Sequence, residues 1–146
     1  MKKCIVIVIC LMMAFAETVS ARKQQVEKMY MFGFAAAFTD TIVHFTNIQM
    51  IDSAWIESKN HFLQGREDYS IQLRDYLRDQ LKSPNRTCIV FYSEKRDKLE
   101  KKYQKMMRLY GQDKNGNQHF DVRYITDMDF KFTTVMMEDE EEPKNE

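Results

Sequence analysis

The chain has 146 residues and a mass of 17.5 kDa, with 44% hydrophobic and 30% charged residues, and its 22 Lys and Arg are balanced by 22 Asp and Glu. That is enough apolar material for one compact domain of about 100–150 residues, and it excludes both wholesale disorder and a polytopic membrane protein. The four glycines, Gly33, Gly65, Gly111 and Gly116, are too scattered to write G-x-G-x-x-G or G-x-x-x-x-G-K-[ST], so a glycine-rich nucleotide cradle is excluded as well.

The N-terminus reads as a targeting segment. Met1-Lys2-Lys3 is a basic start, Cys4 to Ala16 is an unbroken apolar run, and Glu17 to Ala21 ends in small residues. This is the pattern of a secretory signal peptide over residues 1–21, cleaved after Ala21 with Val19 and Ala21 at the small positions. Cleavage after Ala16 is the competing site. The apolar run is shorter than the roughly 20 residues that a bilayer span needs. Export makes the protein extracellular, and removal of Lys2, Lys3 and Glu17 leaves 20 basic and 21 acidic residues.

Cleavage also removes Cys4 and Cys10 and leaves Cys88 alone, so no intrachain disulfide forms. A single cysteine in an exported chain is either a buried free thiol or one half of an intermolecular disulfide. Just before it, Asn85-Arg86-Thr87 is an N-x-T sequon that follows Ser83-Pro84. A Pro-marked connection accommodates a glycan, so Asn85 is a glycosylation candidate in a eukaryotic host.

From residue 23 to 63 the apolar residues fall near helical spacing. Met31, Ala35, Phe38, Ile42 and Phe45 form one line, and His44, Ile48, Ile51 and Trp55 form a neighbouring one. The pattern predicts a long helix over 23–63, bent near Asn47 or Asn60, with Gly65 past its end. Residues 67–82 carry Tyr69, Leu73, Tyr76, Leu77 and Leu81 on one side of a second helix, stopped by Pro84. Cys88–Tyr92 is ambiguous between a strand and a helix start. A third helix over 93–110 places Leu99, Tyr103, Met106, Met107 and Tyr110 on one stripe, and Gln112 to Asn117 forms a loop. Beyond it the apolar residues Phe120, Val122, Tyr124, Met128, Phe130 and Phe132 alternate, which predicts an extended element over 119–136. The expected fold is mainly α: a small helical bundle of three to four helices in a single helical domain, 22–137, with one C-terminal extended strand or hairpin. A disordered acidic tail, 138–146, follows with six acids and one Lys. Without that tail the mature chain has 19 basic and 15 acidic residues, and the tail could fold over the basic segment Glu94–Arg108.

Catalytic and metal chemistry have little support. Asp40/His44 and Glu57/His61 are carboxylate–imidazole pairs at i,i+4, which would share a helix face, but neither H-E-x-x-H nor a Cys/His cluster is present. No serine lies in G-x-S-x-G, and the apolar neighbours of Cys88 disfavour a thiolate, even in a dyad with His44 or His119. Catalytic, cofactor-binding and metal residues are therefore expected to be absent. The basic segment 95–108 carries Lys95, Arg96, Lys98, Lys101, Lys102, Lys105 and Arg108, a candidate contact for a polyanion or an anionic membrane surface. The acids Glu94 and Asp97 are spaced to pair with Lys98 and Lys101 instead. Nucleic acid is not expected as a partner of an exported, near-neutral chain. The apolar run Tyr30 to Phe38 reads as a central core helix, a homodimer interface or a pocket wall, with Met31, Met50, Met106 and Met107 as adaptable lining. The functional expectation is a secreted protein that acts by binding, with another extracellular protein as its partner. A carrier of a small hydrophobic ligand in a Met- and Phe-lined cavity is the alternative, and a metal-dependent or thiol enzyme comes third.

Overall fold

The structure, a computed structural model, describes residues 22–112 and 114–137. The expected signal segment 1–21, the cleavage expected after Ala21 and the acidic tail 138–146 expected to be disordered lie outside the described residues. The fold is α/β, which overturns the mainly α bundle. Among the described residues, a five-stranded mixed sheet carries one helix on each face. In chain order the elements are β1 (Lys23–Ala36), β2 (Ile42–Thr46), β3 (Gln49–Glu57), α1 (Arg66–Asp79), β4 (Thr87–Ser93), α2 (Arg96–Tyr110) and β5 (Asp121–Ile125).

The largest correction is residues 23–63, expected as one helix and folded as three strands and a turn. β1 is the spine of the sheet. Along one edge it pairs antiparallel with β3 through Lys23–Met31 and with β2 through Phe34–Ala36. Along its other edge it pairs antiparallel with β4 through Tyr30–Ala36. β2 then pairs in parallel with β5, Ile42 opposite Asp121 and Thr46 opposite Ile125. A strand buried on both faces shows a continuous apolar run instead of alternation. That is why Tyr30–Ala36 looks apolar all round: Met31 and Ala35 pack against α1, and Phe32 and Phe34 pack against α2. Phe38, at the tip of the following turn, is exposed.

Two irregularities produced the apparent helical spacing. Met31 lies opposite Gln49 and Phe34 opposite Phe45, so three residues on the β2–β3 side oppose two on β1. This is a β-bulge, which bends a strand and shifts the face its side chains occupy. Thr46 fills it: its Oγ1 accepts from Gly33 N at 2.8 Å and donates to Asn47 O at 2.9 Å. The second irregularity is Ser53, at φ 58, between buried Ile51 and buried Ala54.

Under α1, a core of Met29, Met31, Ile51, Ile56, Leu63, Tyr69, Leu73, Leu77 and Ile125 is sealed by the segment after β5. That segment is tied down by two glutamines whose amides act like strand backbone. Gln49 donates to Phe130 O at 2.8 Å and accepts from Phe132 N at 2.9 Å. Gln72 donates to Thr133 O at 3.0 Å and accepts from Thr133 N at 2.9 Å. Under α2, Phe32, Phe34, Val43, Phe45 and Leu99 form an aromatic-rich core, with Tyr103 edge-on to Phe32 at 4.9 Å.

Candidate docking groove on the outer edge of β4

Thr87–Ser93 is rich in β-branched and aromatic residues, which favours a strand, and its alternation matches the two layers. Cys88, Val90 and Tyr92 pack on the α1 side, and Phe91 packs on the α2 side, stacked on Phe32 at 5.0 Å. One edge of β4 is paired with β1. Among the described residues, no strand pairs with its other edge and no backbone hydrogen bond joins that edge to another segment. An edge of unpaired N–H and C=O groups is a template for another strand. Here it is the floor of a groove of about 1250 Å³ between the two helices.

The two walls differ. The α1 wall presents Arg66, Glu67, Ser70, Ile71 and Arg74, and the α2 wall presents Lys95, Lys98, Leu99 and Lys102. Lys102 Nζ lies 4.7 Å over the Phe91 ring, so the floor carries a cation–π contact. At one end His61 Nδ1 meets Glu94 Oε1 at 2.7 Å, although both side chains keep much of their exposure. Glu94 is thus engaged with His61 and not with Lys98. Glu100 pairs with Arg96 at 2.8 Å. Among the described residues, Lys95, Lys98 and Lys102 form no ion pair. Ile71 and Ile89 remain exposed at the rim.

Cys88 also lines this groove, half-buried, with its Sγ 3.7 Å from Arg86 O. Burial pushes its thiol up to about 11, which keeps it protonated at neutral pH and a poor nucleophile. Asn85 lies in the exposed turn before β4, at φ 61, where its side chain faces solvent. Of the α2 cations, Lys101, Lys105 and Arg108 are exposed outside the groove.

The histidine pairs are not assembled as helix-face ligands, because their segments are not helical. Asp40 instead holds Arg86, whose side chain is 4% exposed, through a contact of 2.8 Å, and Arg86 also donates to Ile42 O at 2.7 Å. His44 is buried beside them and lines a second depression of about 560 Å³, and among the described residues its Nδ1 has no hydrogen-bond partner. Desolvation, reinforced by Arg86 and Arg123, lowers its pKa to about 4. Glu57 accepts from Asn60 at 2.8 Å, while His61 turns to Glu94. Among the described residues, no three His, Cys, Asp or Glu side chains are grouped as metal ligands.

The methionines do not meet in one cavity. Met31 lies under α1, Met106 and Met107 are on α2 and pack against the core beneath it, and Met50 is exposed. Sequence reasoning missed the groove because it placed residues 23–63 in a helix. The one signal available was the β-branched and aromatic content of Cys88–Tyr92.

Comparison with protein-family models, with curated proteins and with solved structures finds no match.

Proposed function

We propose that the protein is exported and acts by binding another extracellular protein, which lays an extended segment along the outer edge of β4. The single observation behind this reading is the open edge of a seven-residue strand at the base of a groove walled by two helices. Strand addition draws its affinity from main-chain hydrogen bonds and its specificity from the walls that receive alternate side chains. A seven-residue edge spans about 23 Å, room for a partner segment of similar length. Cys88 is a half-buried free thiol in this reading, packed on the α1 side and protonated at neutral pH.

The test is selection of binders from a displayed library of random twelve-residue peptides, followed by hydrogen exchange of the complex. Selected peptides are expected to slow exchange at the amides of Thr87–Ser93. Binders that protect another surface and leave β4 unchanged would refute the proposal.

A further inference from the structure

We infer that the segment docked on β4 is an acidic strand, with carboxylates on alternate residues toward α2 and small or apolar side chains toward α1. This rests on the strand-docking reading above and specifies the partner's chemistry. Side chains of an added strand point alternately to the two faces of the sheet, so each set meets a different wall.

The α2 wall presents Lys95, Lys98 and Lys102 with no acid facing the groove from that helix. Glu94, which lines the groove just before α2, is taken by His61 at 2.7 Å. The spacing also fits. Lys98 and Lys102 are four residues apart on a helix, about 6 Å of rise, and alternate strand residues are about 6.8 Å apart. The α1 wall is different in kind: Ser70 and Ile71 lie between Arg66 and Arg74, with Glu67 offsetting part of their charge. Small or apolar side chains fit there.

Charge also argues against a second copy of this chain as the occupant. Antiparallel pairing of β4 with its own copy sets the two α2 helices on the same face of a continuous sheet. Lys95, Lys98 and Lys102 would then face their equivalents, and like charges repel.

The probe is an acetylated and amidated octapeptide of alternating Glu and Thr, with binding followed by fluorescence anisotropy on the full mature chain. Three comparisons accompany it: the same peptide with Lys for Glu, the same peptide N-methylated at alternate backbone amides, and the double variant Lys98→Glu/Lys102→Glu. Both lysines are exposed, so the variant is expected to keep the far-ultraviolet circular dichroism of the parent. Binding of the Glu peptide is expected to weaken at least about tenfold with Lys for Glu and with the double variant, as two lost ion pairs and new repulsion imply. N-methylation is expected to abolish binding. Equal binding of the Glu and Lys peptides, both sensitive to N-methylation, would overturn the acidic strand and leave strand docking standing. Binding of the Glu peptide that survives N-methylation would overturn strand docking and this inference with it. Absence of binding by the Glu peptide, or a β4-paired dimer unaffected by Lys98→Glu/Lys102→Glu, would overturn the inference too.

Discussion

Stability should fall as pH drops from about 6.5 to about 4, and His44 should be the main reason. The side chain is 2% exposed, on the α1 face of β2, with its Nδ1 unpartnered and with Arg86 and Arg123 close enough to disfavour a second positive charge. Its pKa is displaced from 6.5 in the unfolded chain to about 4 in the fold. Between those values the unfolded state binds the proton and the folded state does not. Stability therefore rises with pH across this window, and the contribution is fully present above 6.5 and lost by about 4. At about 1.36 kcal/mol per pH unit, the displacement corresponds to roughly 3 kcal/mol. The assay is urea unfolding at pH 7, 6, 5 and 4.5 on the parent and on His44→Gln, which has no group titrating in this range. The variant is expected to show a flatter pH dependence over this range. Parallel curves would refute the reasoning, as would a parent His44 ring resonance titrating near 6.5.

The remaining predictions concern packing and the thiol. A Cβ at Gly33 would lie 2.5 Å from Leu73 Cδ2 in a filled core, so Gly33→Ala should cost about 1–3 kcal/mol, read as a lower urea midpoint. In a Leu73→Ala background, itself weakened by about 2–5 kcal/mol, the same change should cost less, the remainder coming from Phe132 Cζ at 3.1 Å and Thr46 Cγ2 at 3.3 Å, and an undiminished cost would contradict the Leu73 contact. Cys88 should react slowly with iodoacetamide at pH 7.5 and accelerate as pH approaches its value of about 11. A rate plateau near neutral pH would show a thiolate that the buried position does not allow.

The two helices were legible because each carries its apolar residues on one stripe. Tyr69, Leu73 and Leu77 are buried on α1, and Leu99 is buried on α2 beside Tyr103, Met106 and Met107. Neither helix depends on a distant partner to show that period. Residues 23–63 were misread for reasons that lie outside any local window. β1 is covered on both faces by helices that come later in the chain, so Met31, Phe32, Phe34 and Ala35 are all buried and alternation vanishes. The bulge at Thr46–Ile48 and the positive φ of Ser53 then move Phe45, Ile51 and Ala54 off a strict two-residue period. The candidate site was illegible for the same reason. An open edge exists only once the order of strands is known, and that order depends on long-range pairing of β4 with β1. The lysines were visible, but their availability was not, because the expected Glu94/Lys98 pair gives way to Glu94 with His61 across 33 residues.

The most direct measurement is a set of intermolecular nuclear Overhauser contacts between the bound Glu–Thr octapeptide and the isotopically labelled chain. Backbone-to-backbone contacts from the peptide to Cys88–Tyr92, in a regular cross-strand pattern, are the predicted result. Contacts confined to the exposed lysine side chains of α2, with no backbone contact to β4, would contradict the account and reduce the groove to a charged surface.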